Sequence, residues 1–146
     1  KFMEEAGLPQ IGRPTSWGRE YVFPEDFTKF SSIELGRWQS RMEALWAYGL
    51  QVLGKEDSEC DEFERLYEIK LGLRMHEEAG KNGKLVKDML RAIAIKSDPE
   101  LEALTQTLVA RRLRVRRLDT QVKIYQSHLV RLSREQSRRE AEARIG

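Results

Sequence analysis

Five arginines fall within seven residues: Arg111, Arg112, Arg114, Arg116 and Arg117. A looser set follows at Arg131, Arg134, Arg138 and Arg139. A guanidinium fork matches phosphate oxygens, and its plane stacks on bases. The irregular spacing suits phosphate contact without base readout. The competing reading is a solvated, ion-paired helix face. An acidic run at Glu56, Asp57, Glu59, Asp61, Glu62 and Glu64 is available as its partner, within the chain or between copies. The same run also suits the positive end of a helix dipole.

Other chemistry is sparse. Two distant histidines, His76 and His128, and a single Cys60 make no metal-ligand cluster. No glycine-rich phosphate cradle, nucleophile elbow or His-Glu-x-x-His motif occurs. His76-Glu77-Glu78 reads as a solvated helix end. We therefore expect no enzyme, no cofactor and no metal. The lone cysteine fits a reducing interior, and the expected location is cytoplasmic. No run approaches the ~18 apolar residues of a membrane span.

The arginines need an element to position them. From Leu101 to Leu132, apolar residues recur at steps of three and four: Leu101, Leu104, Leu108, Val115, Leu118, Val122, Tyr125, Leu129 and Leu132. Only an α-helix puts that pattern on one face. Asp98 caps its start, and Pro99 and Glu100 suit its first turn. A helix from Pro99 to about Arg144 is ~69 Å long at ~1.5 Å per residue. One small globule cannot cover it, so it needs partner helices from its own chain, other copies, or both. The expected oligomer interface is Leu108, Val115, Leu118, Val122, Tyr125, Leu129 and Leu132. Arg111 interrupts the seam, and an arginine there costs stability unless it is paired or reaches solvent. Arg112, Arg114, Arg116 and Arg117 fall at e, g, b and c of the heptad. The helix also carries the charge asymmetry. Residues 99–146 hold 11 Lys+Arg against 6 Asp+Glu, and residues 1–98 hold 15 against 18.

Upstream, residues 1–30 form an irregular arm in which Pro9, Pro14 and Pro24 alternate with Gly7, Gly12 and Gly18. Phe2, Trp17, Tyr21, Phe23, Phe27 and Phe30 are half of the chain's aromatics. The arm packs over its own bundle or clasps a partner. Ser31 and Glu34 form a capping box for a helix to Gly54, where Trp38 and Trp46 share a face. They are core anchors or, if exposed, a base-stacking platform. Gly36 and Gly49 mark candidate close helix contacts. A second helix starts in the acidic run and ends near Gly80. A third segment covers Lys84 to Lys96, its last part helical or extended. The expected fold is all-α: an arm (1–30), a bundle of short helices (31–98) and a long, basic, coiled-coil-like helix (99–146), in one domain.

This order of parts resembles a phage recombination mediator protein of the UvsY type. A Trp-bearing first helix precedes a charged helix, a Leu-x-x-Arg segment (Leu71-Gly72-Leu73-Arg74-Met75), a glycine turn at Gly80 and Gly83, a break at Ser97-Asp98 and a C-terminal helix. In the family a Lys lies between Leu and Arg; here Gly72 takes that place, so Arg74 carries over, with Lys70, Lys81 and Lys84 as local substitutes. The resemblance implies a small helical homo-oligomer that binds single-stranded DNA and helps load a RecA-like recombinase. The expected nucleic-acid contacts are Arg74, Lys81, Lys84, Arg112, Arg114, Arg116 and Arg117. A second expectation stands beside it: a structural or adaptor subunit of a larger assembly, such as a phage particle, with no role for DNA.

Overall fold

The computed structural model describes residues 10–82 and 85–145. Among them are three helices and no strand: α1, Ser32–Asn82; α2, Lys87–Ser97; and α3, Pro99–Ile145. The all-α expectation and the long C-terminal helix hold. The Ser31 hydroxyl oxygen accepts a bond from the Glu34 N–H at 3.1 Å, which caps α1. Asp98 ends α2 in an extended conformation. Its carboxylate then accepts the Glu100 N–H at 3.0 Å and starts α3. Arg91 to Lys96, readable as extended, is helical.

One boundary differs. Gly54 does not end a helix; α1 runs through it for 51 residues. A mid-helix glycine costs only about 1 kcal/mol, and apolar spacing resumes at Cys60, Phe63, Tyr67 and Leu71. Between Gly54 and the end of α1 at Asn82 there is no proline or left-handed residue to turn the chain.

The chain divides into two compact units, a boundary that cuts across both long helices. One is Lys55–Arg116. Its core joins Cys60, Tyr67 and Leu71 of α1, Ala94 of α2, and Leu101 and Leu108 of α3. The Thr105 hydroxyl donates to Leu101 O at 2.7 Å, so the Tyr67 hydroxyl, 2.6 Å away, donates to Thr105. Cys60 is buried there. Burial, and next the Glu64 carboxylate, push its thiol above the ordinary range, against Arg112.

The other unit joins the described residues up to Gly54 with those from Arg117 on. Leu35, Met42 and Leu45 of α1 meet Tyr125 and Leu132 of α3. Gly49 lies at a close approach of these helices. A Cβ there would lie 3.0 Å from Val122 Cγ2 and 3.5 Å from the Trp17 ring. At Gly36 it would meet nothing within 4 Å, so that glycine marks no contact. The arm is docked on this unit. The Gln51 amide holds both polar groups of Ile11, accepting its N–H at 2.6 Å and donating to its carbonyl at 3.3 Å. A turn at Pro14–Trp17 leads to Gly18, whose φ of 76° few other residues adopt. Phe27 is then buried in this core with Phe23 and Phe30 against its ring, and Trp17 and Tyr21 pack on the same core. The arm's first residues, including Phe2, lie outside the described residues.

Candidate nucleic-acid interface

Within Lys55–Arg116 the arginine run is exposed along α3, as expected. Its partners are mostly the acidic run of α1. Arg112 pairs with Glu64, and Arg114 pairs with Glu56 at 3.3 Å. Helix polarity explains this: α1 and α3 run antiparallel inside the unit, so the acidic start of one segment lies beside the basic end of the other. Arg111 leaves the seam sideways and covers the Phe63 ring at 4.8 Å. That contact satisfies the one charge in the apolar pattern. Arg116 has no ion-pair partner among the described residues, nor does Arg117, where the other unit's part of α3 begins.

The contacts suggested by family resemblance are less available. Arg74 donates to the Ser97 hydroxyl at 3.2 Å and to Glu77 at 3.0 Å, and pairs with Glu78 at 3.2 Å. It ties α1 to the end of α2. Lys81 lies 4.0 Å from the buried Glu78 carboxylate. Lys84 lies outside the described residues. Lys70 pairs with Glu100, and Arg91 with Glu68 at 3.0 Å. The Arg91 bond holds the Glu68 carboxyl below its ordinary range. This end of the unit is closed by its own ion pairs.

The residues expected at an oligomer interface pack within the chain's own cores. Leu108 is buried in one unit, with Val115 packed beside it; Leu118, Val122, Tyr125 and Leu132 are buried in the other, with Leu129 beside them. Facing segments of α1 cover most of this seam inside the chain, leaving only Val115 and Leu129 partly open. The exposed apolar residues lie elsewhere. Leu66, Ile69 and Leu73 of α1 are 62%, 58% and 65% exposed. Their three- and four-residue steps place them on one face, turned away from Tyr67 and Leu71. The hydrophobic content of these residues was visible in the sequence, but two apolar stripes on one helix blur each other.

The other unit holds an arrangement that spacing alone does not show. Arg131 donates to Glu25 O at 3.2 Å and stands over the Phe23 and Phe27 rings at 5.4 and 5.2 Å. Arg139 donates to Phe27 O at 2.9 Å and to Phe30 O at 2.6 Å. Glu135 sits behind them, bonded to Arg138 at 2.7 Å and to Arg139 at 2.9 Å. Those two guanidiniums hold its carboxyl down to about 2. Arg131 and Arg139 of the second arginine set thus fasten the arm, and Arg138 is held by Glu135 and Glu142. Trp38 is half-buried, with Arg41 over its ring at 5.2 Å and over Tyr21 at 5.1 Å. The Arg41 Nε is buried without a hydrogen-bond partner among the described residues. Trp38 and Trp46 therefore belong to the docked core, not to an open platform.

No group of three or more potential metal ligands comes together among the described residues. No described helix is long and apolar enough to cross a membrane. Comparison with known proteins gives no match at three levels: family models, curated proteins and solved structures.

Proposed function

We propose that the chain is an oligomeric DNA-recombination accessory protein that binds single-stranded DNA and assists the loading of a recombinase. The observation that carries the DNA reading is the arginine run of α3. All five guanidiniums are exposed, and Arg116 and Arg117 are not neutralised by a carboxylate among the described residues. Arg112 and Arg114 are paired, but exposed pairs contribute only about 0–1 kcal/mol. A polyanion exchanges one oxygen partner for another at little cost. The recombinase partner rests on the resemblance in chain organisation alone. Self-association is assigned to the exposed Leu66–Ile69–Leu73 stripe in place of the covered seam.

The test is fluorescence anisotropy of labelled single-stranded DNA over a salt series. Binding should weaken steeply with salt as counterions are released. Changing Arg112, Arg114, Arg116 and Arg117 to Gln preserves helix propensity. It should weaken binding alike for all sequences and flatten the log–log salt slope by roughly 0.7 per lost contact. Absence of salt-dependent binding by the unmodified chain would reject the reading. The structural or adaptor alternative is favoured by the same exposed apolar stripe, which a partner helix of another protein would also fit.

A further inference from the structure

We infer that the seat of the arm is itself a single-stranded DNA site, which the arm occupies as a stand-in for the strand. This rests on the single-stranded DNA reading above and adds a second site with its own control. All of its parts lie in the unit that carries the arm.

The arm meets its seat through two kinds of group. Backbone oxygens of Glu25, Phe27 and Phe30 accept bonds from Arg131 and Arg139. Flat rings stack on flat surfaces. Phe23 lies on His128 with centroids 3.7 Å apart and 3° between planes, and Arg131 covers Phe23 and Phe27. Acceptor oxygens along an extended chain, interleaved with planar rings, are what a single strand offers. Phosphate oxygens are charged and form stronger bonds to guanidinium than neutral carbonyls do. Without the arm, the seat has Arg41, Arg131, Arg138 and Arg139 against the carboxylates of Glu135 and Glu142, the second also paired with Arg138, beside the rings of Trp38 and His128. Glu135 fixes Arg138 and Arg139 in place and leaves an excess of positive charge. The segment at 21–30 has neither helix nor strand, so its release breaks no secondary structure. Its anchors are the buried Phe27, the stacked rings and the carbonyl bonds to Arg131 and Arg139.

The experiment uses the full chain carrying Arg112→Gln, Arg114→Gln, Arg116→Gln and Arg117→Gln, with labelled oligo-dT as probe. Adding Tyr21→Ala and Phe23→Ala loosens the arm and leaves every seat residue intact. Oligo-dT affinity should rise by about tenfold, on the order of one added stacking contact. Further change of Arg131 and Arg139 to Gln should remove the gain. A folded variant with no gain, or a gain that survives loss of both arginines, overturns the inference. If the loosened variant does not fold by circular dichroism, trypsin cleavage of the unmodified chain decides. Saturating oligo-dT should speed cutting after Arg19 and Lys29, because the strand displaces the arm; unchanged or slower cutting overturns the inference. Unmodified chain that binds oligo-dT through the α3 run, with the arm unaffected, sinks this inference alone. No binding by any form sinks the proposed function with it.

Discussion

The His128 ring lies flat on Phe23, and its Nδ1 is 3.1 Å from the Tyr21 hydroxyl. Burial, and then the charge of Arg131, push the pKa of His128 below the ordinary 6.5. Between the folded value and 6.5, the unfolded chain takes up a proton that the folded chain refuses. Stability therefore falls as pH falls through that window and is level above it. The unfolding constant changes by at most about tenfold per pH unit for one proton. Urea midpoints measured from about pH 7.5 down to about pH 5 should show this loss. In His128→Gln this component should disappear, and an identical profile in that variant would place the titration elsewhere.

Two glycines of α1 should respond with opposite sign. Gly49→Leu drives a side chain into Val122 and Trp17 and should cost about 1–3 kcal/mol by overpacking. Gly54→Ala meets nothing within 4 Å and removes a mid-helix glycine. It should gain about 0.5–1 kcal/mol. Thermal melts of both variants check this, and a destabilised Gly54→Ala would show that α1 is not continuous there.

Association and folding should separate on different faces of the helices. Val122→Asp buries a charge in the intramolecular seam, so the chain should lose its cooperative melt along with helicity. Leu66→Glu with Leu73→Glu changes exposed positions and should leave helicity intact. Sedimentation should then show smaller species than the unmodified chain. Folded, smaller species from Val122→Asp would restore the seam as the joint between copies.

The sequence made the helices legible where a local signal was unambiguous. Ser31, Asp98 and Pro99 are short-range capping signals, and each marks the boundary it promised. Gly54 misled because glycine is enriched just past helix ends, yet its cost inside a long helix is small. The seam of α3 was readable as a stripe, but periodicity says only that a face is apolar, not which chain covers it. The arginine clusters show the same limit. Their charge was plain, whereas the division of Arg112 and Arg114 to carboxylates, and of Arg131 and Arg139 to carbonyl oxygens of the arm, depends on antiparallel register and on a segment more than a hundred residues away.

The burial of Cys60 has a practical consequence for kinetics. It is the chain's single thiol, so a disulfide-exchange reagent can give one adduct at most. Its environment hides the sulfur and disfavours the thiolate, the reactive form. Modification therefore has to wait for opening of Lys55–Arg116, and its rate at low reagent measures the fraction of time that unit is open. Denaturant dependence of the same rate distinguishes a local fluctuation, with a shallow slope, from loss of the whole unit, with a steep one. The other unit has no thiol of its own and stays silent, so a bulk colorimetric reaction gains the spatial resolution of a site-specific label.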